Sequence, residues 1–308
     1  MQADNFLLSI LLFLYTVAKA DRGTVSDLSD DTFELLISGG HKPDSNRYSR
    51  HVVSIRTLNY VEVRGDNHFC SGTLISSRTV LTAAHCLTDR YKASMNPRGL
   101  RVIFGHIDRL AAHYDGNSRR VDQIMVHPRY ERYKTHDVAI LRLTERIPSN
   151  NHDVAPIILR KEANLTESIQ CITMGWGQIY QHGPYSDELI YMDVEISNPS
   201  RCVEHIPDFD ENESVCVKPS SEGEYCAGDM GGPLICRGAL AGIIGGSLGC
   251  AGGQAIKFVS FLKYRKWIED NVRAMTGSKR SVFVYIPAYY WILSSILHWL
   301  WKNLWLEL

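Results

Sequence analysis

Gly228-Asp229-Met230-Gly231-Gly232-Pro233-Leu234 decides how this chain is read, and it does so in company. Leu81-Thr82-Ala83-Ala84-His85-Cys86 and His136-Asp137-Val138-Ala139-Ile140-Leu141 precede it, in that order. A nucleophilic hydrolase needs a base beside its nucleophile and a buried carboxylate that holds the base in one tautomer. His85 and Asp137 are the candidates for base and carboxylate. Working outward, short runs of β-branched and aromatic residues surround these blocks, among them Val52-Val53-Ser54-Ile55, Leu100 to Phe104, Gln123 to Val126 and Val138 to Leu143. Gly, Pro, Asn and Asp break the runs, which argues for an all-β sandwich or barrel. Only Tyr264 to Met275, with Trp267, Ile268, Val272 and Met275 at helical intervals, reads as a helix of any length.

The chain has 308 residues, 44% hydrophobic and 22% charged, enough to bury a substantial core and too apolar for a disordered polymer. Its 33 basic and 34 acidic residues give a net charge of −1, so no overall basic field exists to hold nucleic acid. Arg119, Arg120, Arg129, Arg132 and Lys134 interleave with Asp115, Asp122 and Glu131, as on a solvated face rather than a polyanion site. Neither a His-x-x-x-His nor a Cys-x-x-Cys pair occurs, so no metal site and no cofactor is expected. Eight cysteines make an even count, which reads as four disulfides in an oxidising compartment, with about 105 pairings open.

Both ends of the chain carry apolar segments. Phe6 to Val17 is too short for an ordinary membrane span and is followed by Ala18-Lys19-Ala20, so residues 1–20 read as a signal peptide. An acidic, cysteine-free stretch, 21–36, reads as a short prosegment, and the sequons at Asn164 and Asn212 agree with glycosylation in a secretory route. At the other end, residues 277–308 form a hydrophobic tail in which 281–301 carry no Asp, Glu, Lys or Arg, long enough to cross a bilayer. Three readings of this tail stand: a membrane span, a lipid-anchor signal, or an apolar segment packed on protein.

Order and context together resemble the trypsin- and chymotrypsin-like serine protease family. The resemblance runs from Ile37 to about Met275, and residues 37–276 are taken as the domain. It rests on Thr82-Ala83-Ala84-His85-Cys86, Gly175-Trp176-Gly177, the Gly228 to Leu234 block and the helix at Trp267-Ile268 agreeing in spacing at once. It implies an all-β fold of two six-stranded antiparallel β-barrels with a C-terminal helix. It pairs Cys70 with Cys86, Cys171 with Cys236, Cys202 with Cys216 and Cys226 with Cys250. His85 matches the general base and Asp137 its orienting carboxylate, while Gly228 and Met230 match the backbone of the oxyanion hole.

Met230 also matches the nucleophilic serine, and a thioether has no proton for His85 to remove. The family's activation pair corresponds to Ile37 and Asp229, but Leu36 stands where an activating protease would want Lys or Arg. Glu224 falls at the floor of the specificity pocket, whose walls, Gly246, Ser247 and Ile256 (or Lys257 on the other count), have diverged from the family pattern. The resemblance therefore implies a catalytically inactive protease homologue, acting outside the cell as a binding or regulatory protein. Its expected partners are active proteases, their substrates or their inhibitors. An endopeptidase working by an unfamiliar route and a membrane-held adhesion module are the competing readings.

Overall fold

The computed structural model describes residues 40–42, 47–111, 116–132, 134–160, 165–220, 223–246, 250–253 and 255–276, all within one compact unit that begins at Leu36. The signal peptide, the prosegment, the tail 277–308 and the residues Ile37, Asn164 and Ser247 lie outside the described residues.

Six strands close the first barrel: β1 (Val52–Thr57), β2 (His68–Ser76), β3 (Thr79–Thr82), β4 (Leu100–Phe104), β5 (Ser118–Val126) and β6 (Ala139–Leu143), in the order β1-β2-β3-β6-β5-β4. Period-2 alternation builds it. Ala139, Leu141 and Leu143 of β6 join one buried cluster, while Val138 and Ile140 join a second that includes Phe261, Tyr264 and Ile268. One face of the strand thus fills the barrel and the other receives a helix.

After the short strand β7 (Ile158–Leu159), the second barrel uses β8 (Gln170–Gly175), β9 (Ile190–Ile196), β10 (Ser214–Pro219), β12 (Pro233–Cys236), β13 (Ala239–Ile244) and β15 (Ile256–Ser260). The order β12-β8-β9-β10-β15-β13 closes through β12–β13 pairing, and β7 adds to β13 in parallel. A separate two-stranded pairing joins β11 (Glu224–Tyr225) to β14 (Ala251–Gly252). The expected fold, two six-stranded antiparallel barrels and a C-terminal helix, is the one observed. All four expected disulfides are present, Cys70–Cys86, Cys171–Cys236, Cys202–Cys216 and Cys226–Cys250.

Among the described residues there are two α-helices. The first, α1 (Pro199–His205), is absent from the sequence reading because seven residues are too few to show a helical period. Local chemistry specifies it: Asn198 accepts a bond from Ser200 N–H as N-cap, and Pro199 opens the first turn. The second, α2 (Phe261–Thr276), begins three residues before Tyr264, because Phe261 is itself part of the buried stripe with Tyr264, Ile268 and Met275. Arg142 of β6 holds its far end by donating to the Met275 carbonyl.

The two barrels meet through the loop Gly228 to Gly232, just before β12. Ser71 N–H of β2 donates to Met230 O at 2.9 Å, and Gly231 N–H donates to Ile244 O of β13 at 2.8 Å. Gly231 has φ +84°, and a Cβ there would stand 2.1 Å from Thr82 Oγ1 and 2.4 Å from Ser71 O, both in the first barrel. Both the dihedral and the clearance require glycine. Gly231→Ala is therefore expected to destabilise the domain by about 3 kcal/mol or more, lowering Tm by roughly 6–12 °C, read by calorimetry. An unchanged Tm would show that the barrels do not depend on this close approach.

Candidate functional site

His85 lies on a 3-10 turn, Ala84–Leu87, directly after β3, and the neighbouring Cys86 is bonded to Cys70 of β2. Asp137 precedes β6 by two residues and is 8% exposed. Its carboxylate accepts His85 N–H at 2.9 Å on Oδ1, while on Oδ2 it meets His85 Nδ1 at 2.8 Å and Gly246 N–H at 2.7 Å. Burial raises the Asp137 carboxyl, but the His85 charge and the bonds from His85 and Gly246 outweigh it and hold the pKa below its ordinary value. Nδ1 of His85 is thus the protonated nitrogen when the ring is neutral, because a carboxylate only accepts. Gly246 follows β13, so the pair is also a bond between barrels. A side chain there would meet His85 Nδ1 at 3.0 Å.

Beside this pair a second cross-barrel contact forms. Glu213 accepts His136 N–H at 3.0 Å on Oε2 and sits 3.0 Å from His136 Nδ1 through Oε1, and Tyr264 Oη of α2 lies 2.9 Å from the same Nδ1. His127 stacks on His136 with ring centroids 4.5 Å apart, and burial together with the His136 and Arg129 charges pushes His127 down to about 4. A cavity of about 20 Å³, room for about one water, lies between Asp137, His136, Glu213, Gly246 and Lys257.

Met230 is 5% exposed and belongs to the buried cluster. Cys86 Sγ stands 3.8 Å from both His85 Nε2 and Met230 O, so the thioether-bearing loop and the imidazole are brought to the same place. The 228–229 peptide is fixed at both ends. Its carbonyl receives Ser71 Oγ at 2.9 Å and lies 3.1 Å from His68 Nε2, while Asp229 N–H donates to Cys226 O at 3.1 Å. His68 is part of a polar chain: Arg56 Nε donates to Ser54 Oγ at 2.8 Å, and Ser54 Oγ is 2.8 Å from His68 Nδ1. Burial, with the Arg56 and Arg109 charges, pushes His68 down to about 3, so the ring is neutral and donates through Nε2 to the carbonyl.

Asp229 is 1% exposed. Among the described residues it has no cationic partner; its oxygens accept Gly177 N–H at 2.7 Å and Cys226 N–H at 2.9 Å. A Cβ on Gly175 or on Gly177 would stand 2.1 Å from one of its oxygens, so the Gly-Trp-Gly sequence is what gives the carboxyl its space. Two amide donors do not balance the lost hydration, and burial pushes Asp229 up to about 7.

Of the residues expected to shape a specificity pocket, Glu224, Gly246 and Ile256 are among the described residues. Glu224 borders a cavity of about 10 Å³, at the lower limit for one water, together with Asp229, Gly175 and Ile244. Ile256 is 1% exposed and pairs with Val217, and Tyr225 is 4% exposed with its ring 6.0 Å from Phe258. The Tyr225 side chain is therefore packed in the interior next to Glu224. The sequence reading missed Tyr225, although it stands one residue after Glu224. It also took Gly246 for a wall residue only, since a backbone N–H leaves no signature in a sequence. The closest groupings of His, Cys, Asp and Glu among the described residues, Cys70 with His85 and Cys86 and Glu224 with Cys226 and Cys250, each contain a disulfide, which offers no thiolate to a metal.

The family model described as Trypsin matches residues 37–268. The chain belongs to the trypsin family. The trypsin of Pleuronectes platessa is 31% identical over 249 residues, covering 77% of this chain and 90% of that protein. Human serine protease 1 is 29% identical over 223 residues, covering 70% and 84%. Among solved structures, human heparin binding protein superposes with a TM-score of 0.64 at 25% identity, covering 80% of this chain and all of that one.

In this trypsin-family chain Asp229 should make stability fall with pH. Its ordinary pKa of 3.8 rises to about 7 on folding, so between those values the folded chain keeps a proton that the unfolded chain has released. Stability from this group is complete below about 4 and lost as pH climbs through 7, on the order of 2–4 kcal/mol in all. Urea unfolding at pH 5 and pH 8, with the bond before Ile37 intact, should show that slope in the native chain and a much smaller one in Asp229→Asn. Equal slopes in the two would remove Asp229 as its source.

Proposed function

We propose that this trypsin-family domain is catalytically inactive and works outside the cell by binding, holding the substrates, inhibitors or cofactors of active proteases without cutting them. Met230 carries the reading. Acyl transfer needs an oxygen or sulfur nucleophile that can lose a proton to His85, and a thioether alkylated at sulfur gives a sulfonium rather than an acyl-enzyme. All eight cysteines are in disulfides, so no thiol substitutes. The buried Tyr225, next to Glu224 in sequence, supports the same reading, because a slot filled by its ring would not accept an extended basic side chain. One structural neighbour is named for binding, human heparin binding protein, and the shared fold is compatible with that kind of work.

Four disulfides suit an oxidising compartment, and Asn212, exposed in a turn, is accessible for glycosylation. The apolar run at 281–301 would hold the domain at a cell surface. Truncation after 280 should move the protein from cells into the medium; unchanged partition would count against a tether.

The enzymatic test uses the purified chain and its Met230→Ser variant against fluorogenic peptides ending in Arg or Lys. Native protein should show no turnover, and the variant should stay far below the ordinary kcat/KM range of roughly ten thousand to a hundred million per molar per second. Turnover by the native chain, abolished by His85→Ala, would overturn the proposal. Robust cleavage by Met230→Ser alone would leave the inactivity intact and refute the closed pocket.

A further inference from the structure

A recess of about 410 Å³ opens on the first barrel and shares no residue with the His85–Asp137 cleft. It lies between the segment leading into β1, the turn after β4 and the 152–153 stretch, and Arg47, Arg50, His106, His152, Asp108 and Asp153 line it. That volume is within the range of small-molecule sites, roughly 300–1,000 Å³.

The charges in it are not settled against each other. Among the described residues no carboxylate of Asp108 or Asp153 approaches Arg47 or Arg50 as an ion pair. Arg50 uses Nη2 on the His152 carbonyl at 3.3 Å, and its buried Nε has no partner. The exposed Arg47 guanidinium stands 5.0 Å over the Tyr48 ring. A chain of amides orients His106: Asn151 Nδ2 donates to Asn117 Oδ1 at 3.2 Å, which leaves Asn117 Nδ2 to donate to His106 Nε2 at 3.1 Å. With Nε2 accepting, the ring's own proton is at Nδ1, a donor like the guanidinium groups. One Asp108 oxygen accepts Leu110 N–H at 2.7 Å.

We propose that this recess is a binding site for a polyol carrying one sulfate or phosphate ester. Two guanidinium groups suit a tetrahedral oxyanion, which takes several charge-assisted bonds at once. The carboxylates of Asp108 and Asp153 repel further negative charge but accept bonds from hydroxyls, so the rest of the ligand is neutral and hydroxyl-rich. The site is independent of the cleft and of whether the cleft is catalytic.

Calorimetric titration of the full chain with glucose 6-sulfate, glucose 6-phosphate, glucose and inorganic sulfate tests it. Saturable binding of at least one ester is expected, weakening as salt rises, with the tighter ester naming the anion. Arg47→Ala, at an exposed position that should fold normally, and Arg50→Gln should each weaken it about ten-fold or more. Arg98→Ala, on the separate turn before β4, should leave it unchanged. No heat of binding for either ester up to about 10 mM, equal affinity in Arg47→Ala, or inorganic sulfate binding as tightly as its ester would overturn the proposal.

Discussion

The docking of the 228–231 loop onto β2 is the contact on which the rest of the molecule depends. Met230 O is bonded to Ser71 N–H, Gly228 O receives Ser71 Oγ with His68 Nε2 beside it, and Gly231 presses its bare Cα against Thr82 and Ser71. The loop belongs to the second barrel and its partners to the first. Because a one-residue change in that loop would disturb both barrels, its backbone is held by folding whether or not it serves chemistry.

The same logic applies to His85 and Asp137. The carboxylate is bonded twice to His85 and once to Gly246, and Glu213 makes a comparable tie to His136 one residue away. Removing Asp137 would leave three donors aimed at nothing in a buried place, a cost of several hydrogen bonds. A base and carboxylate arranged as for catalysis therefore persist on packing grounds, with a thioether that has no proton to give up at position 230. Asp229 makes the contrast sharper: it sits where two amides and two glycines admit it, without a cation among the described residues, and carries the cost as a raised pKa.

Much of this was legible in the chain itself. Strands such as β4 and β6 announce themselves because alternate residues go to opposite faces, and α2 because its buried residues recur on one side. The cysteine pairs and the roles matched to His85, Asp137 and Met230 followed from the family resemblance that the motifs carry. What stayed hidden depends on contacts distant in sequence or on backbone atoms. The Gly246 bond to Asp137 spans 109 residues, α1 is set by a single asparagine cap, and the recess at Arg47 and Arg50 draws on three separate segments. Tyr225 was within reach, since its place follows from that of Glu224, but only its burial tells that it fills space rather than lining it.

The central question is whether any atom in the cleft can attack an electrophile. Treating the purified, amino-terminally sequenced protein with a fluorophosphonate probe and reading intact mass answers it directly. No adduct should form under conditions that fully label an active trypsin, because no serine stands at position 230. One probe per chain, localised by peptide mapping to the cleft and lost in His85→Ala, would contradict the reading of this domain as a protease fold retained for binding.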